Sequence, residues 1–216
     1  MIEILNYTTK NPLQIIGECS GICWNSDINN KDKNIKRALD CIDSGHGRSA
    51  EYADVYCIID GYSARCIREL YTHIVGTTRL QESTRYVNEN NFSYYTPPSI
   101  LQDEDSYGLY ADCMKYIKEV YKKLIDNNIP KEDVANILPL GMNTKIVWKI
   151  NLRALIHFFN MRMCNRAYKE IRDLCHELSK ELKAYSDEWN LIGSKYFVPK
   201  CTANEGRCTE KNSCKK

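Results

Sequence analysis

The chain has no apolar run approaching the ~18 residues that a membrane-spanning helix needs, because charged side chains interrupt every hydrophobic stretch. Met1 to Lys10 holds no basic cluster followed by an apolar segment, so no secretory leader is read there. Both absences set the expectation of a cytoplasmic protein without a membrane partner. An excess of charge of one sign is also lacking: Lys and Arg number 30 and Asp and Glu 28, a formal net charge of +2. Polymeric nucleic acid is therefore not an expected partner, since binding a polyanion draws on a strong basic surplus. A small phosphorylated ligand stays open. No G-x-G-x-x-G follows a strand and no G-x-x-x-x-G-K-S/T occurs, which argues against Rossmann and P-loop chemistry. Internal repeats and low-complexity tracts are absent as well.

What remains is 216 residues, 43% apolar and 27% charged, the composition of one soluble globular domain with a substantial core. Eleven cysteines are many, but Cys57, Cys66, Cys113, Cys164 and Cys175 fall within apolar-periodic segments and read as small buried hydrophobes. The polar C-terminal run Cys201-x6-Cys208-x5-Cys214 has no C-x-x-C pair and only three thiolates. No metal is expected there. A structural metal on Cys201, Cys208 and Cys214, completed by His176 or by Cys19 and Cys23, is the lesser reading.

Periodicity organises the rest. A short strand is expected over Met1 to Tyr7, a helix capped by Asn11-Pro12, and a second helix from about Lys31 to Ser44 with Ile35, Ala38, Leu39 and Ile42 on one stripe and Gly45 as its stop. Tyr52 to Asp60 reads as a strand broken by Gly61, with Ser63 as N-cap of a helix that reaches His73 and ends at Gly76. Thr77 to Tyr86 reads as an irregular polar segment of the kind where ligand contacts concentrate. Phe92 to Tyr95 suggests a strand, Glu104 to Asn127 a helix, Pro130 to Asn136 a short helix, and Thr144 to Ile150 another strand. From Asn151 an apolar stripe through Leu152, Phe159, Ile171 and Leu182 predicts one helix of about eight turns, suited to a subunit interface. Beyond Ser186 the period fades. The expected organisation is a catalytic domain over 1–186 and a cysteine-containing tail over 187–216.

Three segments carry candidate chemistry. Ser83 and Arg85, two residues apart, fall on one side of extended backbone, where a hydroxyl and a planar guanidinium suit a phosphate. The plainer alternative is a surface loop with ion pairs to Glu82 or Glu89. Asn151, Arg153, His157, Asn160 and Arg162 interleave with the apolar stripe and suggest a ligand wall, against the alternative of a satisfied histidine and ordinary arginine–acid pairs; His73 faces the same choice. In Ser44 to Tyr52, small residues let backbone approach a ligand while His46 and Glu51 offer polar contacts, although the segment needs no ligand to be a turn.

Taken in order, these segments resemble the flavin-dependent thymidylate synthase family over about Asp32 to Leu182. The family signature R-H-R-x-x-S-x-N-E-x-S-x-R-Y keeps its second half here as Gln81-Glu82-Ser83-Thr84-Arg85-Tyr86, while its R-H-R becomes Thr72-His73-Ile74 when the alignment runs through His73 with one extra residue before Arg79, or His73-Ile74-Val75 with no insertion. Leu80-Gln81 stands for its N-E pair. The loop motif G-H-x-S-x-x-E-H is matched at Gly45, His46 and Glu51 but ends in Tyr52. Leu138-Pro139-x4-Thr144-x6-Asn151-Leu152-Arg153-Ala154-Leu155-x-His157-Phe158-x3-Arg162 fits the final motif closely.

The resemblance implies an α/β (α+β) single domain, a central mainly antiparallel sheet flanked by helices with one long C-terminal helix, assembled as a homotetramer. It implies FAD as cofactor, NADPH and 5,10-methylenetetrahydrofolate as co-substrates, and reductive methylation of dUMP to dTMP. It places Gln81, Glu82, Ser83, Arg85, Tyr86 and Arg162 at the nucleotide, with Ser83, Arg85 and Arg162 nearest the chemistry, and His46, Glu51, His73, Thr78, Asn151, Arg153 and His157 at the flavin. Two alternatives accompany it: a paralogue leaving a one-carbon group such as hydroxymethyl on another pyrimidine nucleotide, and a non-catalytic nucleotide-binding homologue.

Overall fold

The computed structural model describes residues 1–214; residues 215–216, the end of the expected tail, lie outside the described residues. By packing, the chain divides into two units. The first takes Met1–Ile59, Leu70–Arg79 and Val147 onward; the second takes Asp60–Glu69 and Leu80–Ile146. Four strands, β1 (Ile2–Ile4), β2 (Asp54–Ser63), β3 (Thr77–Gln81) and β4 (Asn143–Asn151), form a sheet in the order β1-β2-β4-β3.

In the first unit β1 pairs antiparallel with β2 in the register Ile2↔Ile59, Glu3↔Ile58, Ile4↔Cys57. Two helices follow β1: α1 (Pro12–Cys23) and α2 (Lys31–Asp43). Asn30 caps α2 through its side chain, accepting from the Lys33 N–H at 3.0 Å, and Gly45 at φ +80° terminates the turn after it as expected. The fully buried residues of α2 are Asn34, Ala38 and Cys41, while Ile35, Leu39 and Ile42 of the expected stripe are half-buried. Asn34 tolerates burial because its amide is satisfied: Nδ2 donates to Ile28 O at 2.7 Å and Oδ1 accepts from Arg37 at 2.7 Å.

The expected cap of α1 is absent, for Asn11 makes no side-chain bond to the helix. A distant acid supplies it instead. Glu188 Oε2 accepts from Leu13 N at 2.8 Å and Gln14 N at 3.0 Å, satisfying two of the orphan donors every helix start leaves. Among the described residues its other oxygen has no hydrogen-bond partner, with Lys31 Nζ 3.9 Å away. Glu188→Ala is expected to cost about 1.5–3 kcal/mol by stranding those two N–H groups; a denaturant midpoint unchanged from wild type would show that water caps α1 equally well.

Downstream, the single eight-turn helix predicted from Asn151 is two helices, α7 (Leu152–Arg162) and α8 (Lys169–Tyr185). The four-residue spacing of Phe159, Met163, Ala167 and Ile171 runs straight through the break and hides it. The intervening turn is fastened by Ala167 N to Cys164 O (2.8 Å) and Arg172 Nη1 to Asn165 O (2.8 Å). The chain therefore offers no single eight-turn helix face to a partner subunit among the described residues. Beyond Ser186 the chain is not irregular either: Ser186 caps α9 (Asp187–Tyr196), whose Trp189 and Ile192 are fully buried, and a short helix, α10 (Lys200–Ala203), follows. Phe197 stacks on Phe159 of α7 with ring centroids 4.1 Å apart. Two large apolar side chains, Trp189 and Ile192, seat this short helix, too few for a visible period.

The second unit holds most of α3 (Ala64–Leu70), α4 (Pro98–Leu101), α5 (Glu104–Asp126) and α6 (Lys131–Val134). Ser63 is the N-cap read from the sequence, its Oγ accepting from Cys66 N at 3.1 Å, but β2 runs on through Gly61 (φ +80°) instead of breaking there, and α3 stops at Leu70 short of His73. The Phe92 to Tyr95 strand is reduced to a single bridge between Tyr94 and Met142. A small core of Phe92, Met114 and Met142 is walled by Tyr94, Tyr110, Ile117 and Leu138. On α5, Leu109, Cys113 and Tyr116, at helical spacing, are exposed, so that helix carries an uncovered apolar stripe.

Candidate functional site

In the first unit three segments far apart in sequence converge on one cavity of about 430 Å³: Glu51 from the turn before β2, Thr72 to Val75 from the loop after α3, and Asn151, Arg153, Ala154 and His157 from the start of α7. The last group is set by a cap. Asn151 Oδ1 accepts from Ala154 N at 2.9 Å, starting α7 there and turning Arg153 and His157 toward the cavity side of the helix. Asn151 N donates to Gly76 O at 2.9 Å. Gly76 has φ +72°, and a Cβ on it would stand 2.5 Å from Asn151 Nδ2, so both conformation and contact require glycine.

Arg153 spans two cavities. It donates from Nη1 to Glu51 Oε1 at 2.7 Å, with both side chains largely exposed, and its Nε lies 2.8 Å from where a Cβ on Gly47 would be. The second cavity, about 440 Å³, is lined by Trp24, Gly45 to Ser49 with His46, and Arg153. The glycine of the Gly45 to Ser49 loop therefore admits the guanidinium, a role its sequence reading as a mere turn did not require.

Among the residues lining this cavity, His73 is the one whose protonation burial perturbs. Arg162 Nε donates to its Nε2 at 3.0 Å, so Nε2 accepts and the ring proton resides on Nδ1. The ring meets Phe158 edge-on at 5.1 Å and His157 at 5.9 Å. Burial, then the Arg162 and His157 charges, push the His73 pKa down from 6.5 to about 4. Between pH 6.5 and about 4 the unfolded chain takes up a proton that the folded chain refuses, so stability falls as pH is lowered through that window and is unaffected above it. Denaturant midpoints at the two ends of the window should therefore differ less in His73→Gln than in wild type; equal losses would remove His73 from the account.

The remaining expected residues are distributed as follows. Thr78 lies exposed in β3 and does not line the cavity; its segment, expected to be irregular, is a strand as far as Gln81. Arg162, at the end of α7, reaches Thr72 Oγ1 with Nη2 at 2.7 Å as well as His73. In the second unit Gln81 Nε2 donates to Thr144 Oγ1 at 3.2 Å and Glu82 N to Lys145 O at 2.9 Å. Ser83 to Tyr86 is a turn closed by Tyr86 N on Ser83 O (3.0 Å), not the extended run expected, because Ser83 Oγ draws the Arg85 N–H to 3.3 Å. Arg85 pairs with Glu132, 2.9 Å away, rather than with Glu82 or Glu89, and lies over the exposed Tyr86 ring.

Cys201, Cys208 and Cys214 line a cavity of about 180 Å³ together with Cys164, a thiol the spacing did not offer; His176, Cys19 and Cys23 are not part of its wall. Among the described residues no three His, Cys, Asp or Glu side chains gather as a metal needs. Without a C-x-x-C turn nothing draws neighbouring thiols onto one point. Sequence reasoning also missed Thr72, whose only signal was its place beside His73.

The model of the family described as thymidylate synthase complementing protein matches residues 3–186. Flavin-dependent thymidylate synthases of Pyrococcus furiosus and Clostridium tetani are 30% and 28% identical to the chain, over 98% and 97% of it and 90% of each relative. In three dimensions the chain is similar to a flavin-dependent thymidylate synthase from Helicobacter pylori solved in complex with FAD and dUMP: the TM-score is 0.66 at 22% identity, covering 84% of this chain and 93% of that one. Among the described residues no helix is long and apolar enough to cross a membrane.

Proposed function

Because the chain belongs to the thymidylate synthase complementing protein family, we propose that it is an FAD-dependent thymidylate synthase that converts dUMP to dTMP with 5,10-methylenetetrahydrofolate as one-carbon donor and NADPH as reductant. The observation that carries this reading is the convergence of Glu51, His73, Asn151, Arg153 and His157 on one cavity although Arg153 and Glu51 are 102 residues apart.

The donor set fits a flavin. Two imidazole rings with Ile74 and Val75 offer flat and apolar wall, while Asn151 and Arg153, at the positive N-terminal end of an 11-residue helix, suit polar and anionic edges. FAD, when bound, supplies the hydride that turns the transferred methylene into a methyl group. The protein's own work is placement and charge. Arg153 holds negative charge, Glu51 orients Arg153, and His73 keeps a neutral ring with one donor, Nδ1–H. On the nucleotide side, Ser83 and Arg85 take the phosphate, and Arg162 stabilises negative charge gathering on the base as it is activated. The exposed Arg85–Glu132 pair is weak enough to exchange for a phosphate, surface pairs being worth at most about 1 kcal/mol. Arg85→Ala is expected to weaken dUMP binding by about 1.5–3 kcal/mol in calorimetric titration; unchanged binding would move the phosphate elsewhere.

We place the enzyme in the cytoplasm and assemble it as a homotetramer. Support for assembly is the exposed stripe of Leu109, Cys113 and Tyr116 on α5 together with exposed Ile74, Val75, Leu80 and Tyr86. Solution mass by light scattering tests it: a monomer mass of 25.1 kDa would overturn it.

The deciding experiment is the visible spectrum of the purified protein before and after FAD, with excess removed, followed by mass analysis of the nucleotide product. A retained flavin perturbed by dUMP, with dTMP formed, is expected. A hydroxymethyl product would favour the paralogue reading, which the replacement of both signature arginines by Thr72 and Ile74 motivates. Nucleotide bound without flavin would make the chain a non-catalytic homologue.

A further inference from the structure

Arg162 uses two edges of one guanidinium on two consecutive residues: Nε on His73 Nε2 at 3.0 Å and Nη2 on Thr72 Oγ1 at 2.7 Å. A rigid planar fork held at two points has neither rotation nor translation left in its plane. The contact to His73 is also chemically demanding, since it asks a neutral imidazole to present its lone pair to a cation. It survives only if the ring stays unprotonated and in the Nδ1–H form, because a protonated ring carries a second N–H at Nε2 and repels the guanidinium. The ring is further fenced by the edge contact with Phe158 and by His157.

Thr72 is what makes this arrangement possible at position 72. An arginine there would set a second guanidinium against Arg162, whereas the threonine hydroxyl accepts a charge-assisted bond from it. We propose that Thr72 is a positioning residue: its hydroxyl anchors Arg162, and Arg162 so anchored holds His73 in a single neutral tautomer as a fixed wall of the cavity. This rests on the synthase reading only for its effect on turnover; the positioning itself is a property of the chain.

The test is long-range proton–nitrogen NMR of the full-length protein. The chain has four histidines, and His73 is identified by its disappearance in His73→Gln. Wild type is expected to show, at neutral pH, one protonated and one acceptor-type nitrogen for His73. In Thr72→Val, which keeps the shape and removes the hydroxyl, that pattern should give way to a tautomer average and the ring should titrate at higher pH; Thr72→Ser should restore it. A wild-type His73 that already averages its tautomers, or a Thr72→Val spectrum identical to wild type, overturns the proposal. The wild-type spectrum decides even if Thr72→Val fails to fold. Turnover gives a separate readout. With Arg162 loosened, KM for dUMP is expected to rise about tenfold in Thr72→Val with a smaller change in kcat, and to recover in Thr72→Ser. If the protein makes no dTMP at all but the spectra behave as stated, the synthase reading fails and the positioning role stands.

Discussion

Replacing Arg153 by alanine is expected to weaken FAD binding roughly tenfold to a hundredfold while leaving the fold almost untouched. Among the described residues lining the His73 cavity, Arg153 is the one with a permanent positive charge, and it also borders the neighbouring cavity beside His46. The neighbours of His73 are the uncharged Thr72 and Ile74, so Arg153 is left to meet an anionic cofactor, and one charge-assisted contact is worth about 1.5–3 kcal/mol. The structural cost is small for a different reason. Arg153 and Glu51 are 59% and 42% exposed, and such a pair contributes at most about 1 kcal/mol to stability. Flavin fluorescence titration of the apoprotein and denaturant unfolding of the same sample separate the two effects. Wild-type flavin affinity in Arg153→Ala would show that the first turn of α7 does not meet the cofactor. Glu51→Gln, which keeps a weaker acceptor for Arg153, should fall between.

How far such a site can be read in advance depends on the range of the interaction that builds it. Asn151 and Arg153 were legible because a cap and the turn it starts are three residues of local physics: the asparagine oxygen must meet Ala154 N, and the helix phase then places residues 153 and 157. The Ser63 cap and the Gly45 stop are of the same kind. Thr72 and Arg162 were not legible as a pair, because nothing in a sequence reports a hydrogen bond between residues 90 apart. The cap of α1 failed likewise: Asn11-Pro12 carried the local signal, but the carboxylate of Glu188 occupies the place from another helix. Periodicity misled where it was accidental. The apolar spacing that crosses 163–168 continues in register from α7 to α8, although the chain between them is a turn, so one helix was read where there are two.

Phe158→Ala is expected to have the largest effect on the molecule, a loss of about 3–5 kcal/mol, which is a large part of the 5–15 kcal/mol a domain usually has. Phe158 is fully buried on α7 and meets three rings edge-on: Trp148 of β4 at 5.1 Å, His73 at 5.1 Å and Phe159 at 5.9 Å. Truncation opens a cavity under all of them and removes the aromatic contacts, each adding about 0.5–1.5 kcal/mol beyond buried area. Trp148 is held independently by its Nε1 donating to Thr77 Oγ1 at 2.8 Å, so it cannot move over to fill the gap without breaking that bond. His73 is the group that can relax, and relaxation would draw it off Arg162 and change the cavity wall. Phe158→Leu separates packing from site: it keeps most of the apolar volume and so costs much less than alanine, yet it takes away the ring edge that His73 rests against. Thermal unfolding should therefore place leucine close to wild type and alanine far below it. Flavin retention in the leucine variant should fall even though its fold is kept, and a leucine variant that holds FAD as tightly as wild type would show that the Phe158 ring serves the core alone.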